Sequence, residues 1–296
     1  MDLDLLHSFV SVVDAGGFTR AGERVHRTQS TVSQQIRKLE AALGCALFIR
    51  EGRQVRLTED GERLLGYARR MLALSTEIRE AVSGARGVDM VRVGVPDDFA
   101  VERLTGLVAG FARAHPAVRV TMRCDLSAVL SRSLERGELD LALFKREPGA
   151  GDCVAAWPER LSWLGGLDWP HVLPDPVPLV TFPQGCMYRN RAIHTLESAG
   201  KRWRIAYESP HMGGVQAALE GGLGLGLMDR RCITPAMRTC DELLPRPAPS
   251  ELALCLSPAA STAARLLAQS MRDFCEEVVS TARLVDTATR GAAMAA

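Results

Sequence analysis

Apolar residues near the start of the chain recur at helical spacing. Leu5, Phe9 and Val13, with Leu6 and Val10 beside them, predict a first helix with one apolar face. Ala15-Gly16-Gly17 breaks that pattern. Phe18-Thr19 opens a second helix, with Thr19 as its cap and Ala21 and Val25 turned inward. A third runs from Thr28 to Gly44 and carries two faces. Val32, Ile36 and Leu39 recur at i, i+4 and i+7 as a packing stripe, while Ser30, Ser33, Gln34 and Arg37 recur at i, i+3, i+4 and i+7 on another side. Hydroxyls, an amide and a guanidinium are groups that read base edges and phosphates, although any surface helix has a polar face. Thr28 caps this helix and Gly44 ends it. Past Gly44 come two short extended runs, Ala46 to Ile49 and Gln54 to Leu57, with Arg50 and Arg53 at the tip between them. Two tightly joined helices followed by such a hairpin form a winged helix-turn-helix, whose arginine tip can follow a phosphate or enter a minor groove.

From Thr58 the helical pattern resumes. Leu64, Ala68, Met71, Ser75, Ile78 and Val82 are spaced 4, 3, 4, 3 and 4, an a/d seam over almost three heptads. Arg63, Arg70, Glu77 and Glu80 occupy the other side. The seam predicts pairing with a second copy through Leu64, Ala68, Met71, Ile78 and Val82; the alternative is packing on its own domain. Ser83 to Gly87 reads as a hinge.

After residue 90 strands and helices alternate. Strands are expected at 91–95, 118–123, 139–144, 161–164, 179–182, 203–207, 223–228 and 252–256. Helices are expected at 101–115, 127–136, 187–199, 215–220 and 259–282, with a frayed tail from Thr287. This alternation implies parallel sheets with covered faces, laid out as two α/β subdomains. Domain bounds follow as 1–58, 59–87 and 88–296.

Composition narrows this picture. The chain has 296 residues, 47% of them hydrophobic, and a net charge of +1, so nucleic-acid contact must come from a local patch. The start, MDLDLLHSFV, lacks a basic leader, and no apolar run is long enough to span a bilayer, so the expected compartment is cytoplasmic with no membrane partner. The eight cysteines show no C-x-x-C or metal-ligand spacing. The six histidines are unpaired, and no nucleophile elbow, phosphate loop or zinc signature is present, which argues against an enzyme and for no metal or cofactor. The glycines of Gly221 to Leu227 alternate inside a strand-like run without the frame of a dinucleotide fingerprint.

Residues 1 to about 85 resemble the N-terminal part of LysR-type transcriptional regulators. FTRAGERVHRTQSTVSQQIRKLEAALGCALFIR followed by VRLTEDGERLL carries the resemblance, which extends through LERGELDLAL at 134–143 and GGLGLGL at 221–227. Gly22 departs from the family's usual Ala, at a helix-propensity cost of about 1 kcal/mol. The resemblance implies DNA-reading positions at Gln29, Ser30, Ser33, Gln34 and Arg37, with Arg50 and Arg53 in the wing. It implies periplasmic-binding-protein-like subdomains, double-stranded promoter DNA as partner, a small-molecule effector, and a homodimer that assembles into a homotetramer, with RNA polymerase a further partner. An effector in such a fold sits at the carboxyl ends of the strands, between the subdomains. Candidate residues there are Asp97, Asp98, Phe99, Ser127, Gln184, Gly185, Cys186, Tyr207 and Ser209. The two acids stand where many members have Ser or Thr, and either favour a donor-rich or cationic effector or cap the next helix. Ser127 and Ser209 carry the same choice between capping and contact. Cys186, expected at a helix start near Arg189, is a candidate low-pKa, redox-sensing thiol, and Gly185 to Arg189 resembles a branch of the family that includes repressors of motility and virulence genes. Two other readings stay open: an architectural DNA-binding protein, and an enzyme fused to a DNA module.

Overall fold

The structure, a computed structural model, describes residues 2–51, 54–83, 89–99 and 101–294. Helices α1 (Leu3–Ala15), α2 (Phe18–Arg24) and α3 (Gln29–Leu43) form the first module. The Asp2 carboxylate accepts from the Asp4 amide at 2.9 Å to cap α1, and Gly16 at φ 66° ends it. Thr19 lies inside α2 rather than at its cap, because the chain turns through Gly17 and the Ala21 amide already donates to the Gly17 carbonyl. Thr28 Oγ1 accepts from the Thr31 amide at 3.2 Å to cap α3, and Gly44 ends it at φ 73°. The α2–α3 turn is tight: a Cβ on Gly22 would lie 2.6 Å from the Arg27 carbonyl oxygen, and His26 sits at φ 54°. The glycine therefore admits the turn, and its propensity cost is not a defect.

Strands β1 (Phe48–Glu51) and β2 (Gln54–Leu57) pair antiparallel as the wing. Phe48 anchors it against the rings of Phe9 and Phe18, 5.4 and 5.6 Å away. Arg53 lies outside the described residues; Arg50 is on β1, with its side chain outside them.

Helix α4 (Glu59–Ser83) corrects the predicted seam. Ala68 is fully buried, with Leu65, in the core of the first module, and Leu64 packs partly against it. The first half of α4 thus covers α1, and Ala68 is unavailable to a second copy. The exposed apolar residues are Tyr67, Met71, Leu74 and Ile78, a stripe rotated from the expected one; the side chain of Val82 lies outside the described residues.

Beyond it come β3 (Asp89–Val95), α5 (Val101–Ala114), β4 (Val118–Cys124), α6 (Ser127–Glu135), β5 (Leu141–Arg146), β6 (Ala155–Pro158), β7 (Leu161–Gly166), β8 (Val177–Thr181), α7 (Met187–Ser198), β9 (Trp203–Glu208), α8 (Met212–Glu220), β10 (Gly226–Asp229), β11 (Met237–Thr239), β12 (Glu251–Leu256) and α9 (Thr262–Met294). Subdomain I holds a five-stranded sheet in the order β4-β3-β5-β12-β6, with β3, β4 and β5 parallel and β12 antiparallel to β5. Subdomain II holds the antiparallel trio β10-β7-β11 and the parallel pair β8-β9, joined by a bridge between Leu179 and Leu225. The chain crosses outward through Glu159 and Arg160 and returns between β11 and β12.

Most predicted elements lie within two or three residues of their expected places. Strand β10 starts at Gly226 rather than Leu223, because Gly222 turns at φ 72° and a Cβ on Gly224 would meet the Pro178 carbonyl oxygen at 2.5 Å. The frayed tail is corrected too: α9 continues to Met294, carried on from a base whose Ala264, Leu267, Met271 and Cys275 are buried in subdomain I.

Candidate functional site

Helix α3 presents Gln29, Ser30, Gln34, Arg37 and Lys38 to solvent, while Val32, Ile36 and Leu39 are buried behind them. Ser33 is the exception among the candidate readers. It is only 8% exposed and belongs to the packing side, so it is not on the outward face. The helix therefore offers amides, a hydroxyl and two cations on a rigidly backed surface.

The second site is a cavity of about 350 Å³ between the subdomains. Asp97, Asp98, Ser127 and Cys186 line it, together with Asp125, Lys145 and apolar side chains such as Leu126, Phe182 and Met187. Of the other candidates, Phe99 is 3% exposed and packs in the core of subdomain I, under the Arg231 guanidinium at 5.0 Å from its ring. Ser209 is buried; its hydroxyl accepts from the His211 amide and supports the start of α8. Gln184 and Tyr207 are exposed beside the cavity without lining it, and Gly185 lines a neighbouring hollow on the far side of Ser127.

Three helix N-termini border this cleft, and that of α8 is served from across it. The Asp97 carboxylate crosses from subdomain I to accept from the Met212 amide at 2.8 Å, at the first residue of α8. Asp125 Oδ1 accepts from the Leu126 amide at 2.8 Å, just before α6. At α7 Cys186 is the cap residue, and its side chain makes no capping hydrogen bond. Cys186 is buried, and that burial pushes its thiol up against the opposing pull of the nearby Arg189 and Tyr188 amides and of the Lys145 charge. Arg189 is engaged with Glu208 instead. The expected low-pKa thiol is therefore corrected: Cys186 is held protonated, since burial disfavours its anion.

Beneath the cavity lies a buried charged cluster that the sequence reading missed. Lys145 is 8% exposed, ion-paired with Asp98 and 4.6 Å over the Tyr188 ring. Burial opposes its charge, but Asp98 and then Glu159 outweigh that and hold the ammonium above the ordinary lysine value. Glu159, at the first crossover, has a fully buried side chain that accepts from Tyr188 Oη at 2.6 Å and from Ser250 Oγ, on the return crossover, at 2.7 Å. Burial raises its carboxyl, with Lys145 pulling the other way. A lysine at the end of the apolar strand LALFKR was the one sequence signal for this cluster.

A second polar junction ties α4 to subdomain I. Arg69 donates to Asp14 on α1 at 2.5 Å, to Glu138 at 3.0 Å and to the Arg136 carbonyl at 3.1 Å. Arg136 pairs with Glu62 at 2.7 Å, and a Cβ on Gly66 would lie 2.9 Å from the Glu135 carbonyl oxygen.

Comparison with known proteins completes the picture. Residues 3–62 match the family described as bacterial regulatory helix-turn-helix protein, lysR family, and residues 85–279 match the LysR substrate binding domain. The chain is 35% identical over 236 residues to the HTH-type transcriptional regulator DgdR of Burkholderia cepacia, covering 79% of each. It is 30% identical over 260 residues to PecT of Dickeya dadantii, covering 87% of this chain and 82% of PecT. Among solved structures, a full-length OxyR variant from Pseudomonas aeruginosa aligns with TM-score 0.65 at 22% identity, over 92% of this chain and 95% of that one. Full-length LysG from Corynebacterium glutamicum with bound effector Arg aligns with TM-score 0.63 at 20% identity, over 92% and 99%. At those identities the two structures share the fold with this chain.

Proposed function

The chain belongs to the lysR family of bacterial helix-turn-helix regulatory proteins, and from that premise we propose how its parts divide the work. It is a DNA-binding transcriptional regulator with an effector-binding domain. In our reading Gln29, Ser30, Gln34 and Arg37 touch base edges and phosphates from α3, and Arg50 and Arg53 grip the backbone from the wing. The effector occupies the cavity between the subdomains and works by its differential affinity for their arrangements. The stripe Tyr67, Met71, Leu74 and Ile78 pairs two copies, a second pairing makes a tetramer, and the assembly works in the cytoplasm on promoter DNA, with RNA polymerase a further partner. We read the cleft as a binding site rather than a catalytic one, since Asp97 and Asp125 accept from backbone amides and Asp98 pairs with Lys145.

The observation that carries this reading is the exposed polar face of α3 backed by its buried stripe. Fluorescence anisotropy with the DNA upstream of the protein's own gene, and with scrambled DNA, tests it. Arg37→Ala should weaken both and lower the slope of log affinity against log salt by about 1, whereas Gln34→Ala should act mainly on the specific fragment. Affinity that ignores salt, or equal losses on both DNAs for both variants, would refute the assignment.

A further inference from the structure

We propose that Cys153 and Cys255 form a reversible dithiol–disulfide pair, oxidised by a hydroperoxide that enters at the exposed Cys153 thiol. The pair stands apart from the effector cleft and does not rest on it. Strands β6 and β12 run antiparallel with Ala155 opposite Leu254. The Val154 amide also donates to the Leu254 carbonyl, at 2.8 Å, so two residues of one strand answer to a single residue of the other. Such a bulge slips the register by one. It moves Cys153 from opposite Leu256 to opposite Cys255. The contacts agree with that placement. The Cys255 thiol donates to the Asp152 carbonyl at 3.7 Å, one residue from Cys153. The Arg146 guanidinium reaches the same carbonyl at 3.4 Å and donates to the Cys153 sulfur at 3.1 Å.

The two sulfurs differ as an entry thiol and a resolving thiol should. Cys153 is exposed, whereas Cys255 is buried. That burial pushes the Cys255 thiol up to about 11, against the pull of Arg146. A peroxide therefore meets Cys153 first. The Arg146 side chain is 10% exposed and is fixed by Glu251 at 2.8 Å and by the Ala150 carbonyl at 2.6 Å. A thiolate or sulfenate on Cys153 thus has a cationic donor already in place. Cys124 gives the contrast within the same chain. It is exposed too, but desolvation of its sulfur and then the Asp97 carboxylate push its thiol up. In the first step the Cys153 thiolate attacks one peroxide oxygen. An S–O bond forms, the O–O bond breaks, and the leaving oxygen takes a proton from water. In the second step the Cys255 sulfur attacks the Cys153 sulfenic acid. The S–S bond forms, the S–O bond breaks, and hydroxide leaves with the Cys255 proton as water. Two electrons pass from the thiols to the peroxide. In a reducing compartment the bond is transient, since thiols reverse it. The loop ahead of Cys153 starts at Glu147, which pairs with Arg191 on α7 at 2.8 Å, so the bond is made at the end of a segment that touches both subdomains.

The test treats the full-length reduced protein with hydrogen peroxide, blocks the remaining thiols under denaturing conditions, and maps peptides by mass spectrometry without reduction. A linked Cys153–Cys255 peptide that disappears with dithiothreitol is expected. Cys153→Ser should abolish it. In Cys255→Ala the Cys153 sulfenic acid should persist and be trapped by dimedone. Before any oxidation, iodoacetamide should alkylate Cys153 in the folded protein at least about fivefold faster than Cys124. Peroxide that links Cys153 to another chain, or that leaves Cys153 as a sulfenic acid beside a reduced Cys255 in the parent, overturns the pairing. Alkylation of Cys124 as fast as Cys153, or a Cys153 that stays reduced under peroxide, overturns the entry thiol and with it the proposal.

Discussion

Replacing Lys145 with methionine keeps most of the side chain's length and removes its charge. Asp98, 5% exposed, then loses its counter-ion, and Glu159, whose side chain is fully buried, keeps only Arg231 at 3.6 Å. Breaking a buried pair from one side costs about 3–5 kcal/mol, more than the pair's net worth, because the orphaned charge stays desolvated. At about 2–4 °C per kcal/mol for a unit of this size, Lys145→Met should melt about 10 °C below the parent near neutral pH. The deficit should depend on pH with a definite sign. Glu159 is already raised above the ordinary 4.5 by burial, and Lys145 is what pulls it back down. Without Lys145 the folded state holds a proton more tightly than the unfolded chain over a wider range above that ordinary value. The variant should therefore lose stability as pH rises and come closest to the parent near pH 5. In the double variant Lys145→Met/Asp98→Asn one orphaned charge is gone, so it should melt above the single Lys145 variant. Thermal melts of parent, singles and double at pH 5 and 8 form the assay. A Lys145→Met protein within 2 °C of the parent at pH 8, or a double deficit equal to the sum of the singles, refutes the reasoning.

Three further outcomes are expected. Gly22→Ala, which helix propensity would favour by about 1 kcal/mol, should lower the melting temperature of the DNA module, since the new methyl would meet the Arg27 carbonyl at 2.6 Å; a rise would refute the tight-turn explanation. Leu74→Glu, at a side chain 55% exposed, should leave the melting of dilute protein unchanged while shifting light-scattering mass toward monomer; an unchanged mass would refute pairing along this stripe. Arg69→Met should cost about 1–3 kcal/mol, and the loss should shrink as pH falls. Glu138 is pushed up by burial but held below its ordinary value by hydrogen bonds from Arg69 and Ser133, so its contribution is present above that value and disappears on protonation; a pH-independent loss would refute this assignment.

The elements and the outward face of α3 were legible because periodicity and caps are local: Thr28 and Gly44 bound α3 as their chemistry dictates. Facing was harder where two partners compete for one helix. The 4-3 spacing of α4 is real, but α1 claims its first half, so Ala68 turns inward and Tyr67, absent from the predicted seam, turns out. Ser33 shares the spacing of the polar face and yet is buried, since a serine is small enough to sit on either side of a packing boundary. Cys186 was placed correctly at the start of α7, but burial is a tertiary property, and it reversed the expected direction of its pKa. In the cleft, Asp97, Asp98, Ser127 with its neighbour Asp125, and Cys186 could be located from strand ends, whereas Lys145 and Glu159 meet from places far apart in the chain.

The Arg69 junction determines which part of the molecule serves as the fixed frame. Helix α4 is bolted to α1 on one side through Asp14 and to the 135–138 corner on the other, so these contacts tie subdomain I to the DNA module. Subdomain II hangs from subdomain I on two crossovers that meet at Glu159 and Ser250. Within a single copy, a ligand that swung subdomain II on those crossovers would leave the reading helix where it was. If the proposed assembly carries the signal through contacts between copies, an isolated subunit should bind ligand without any change in its grip on DNA.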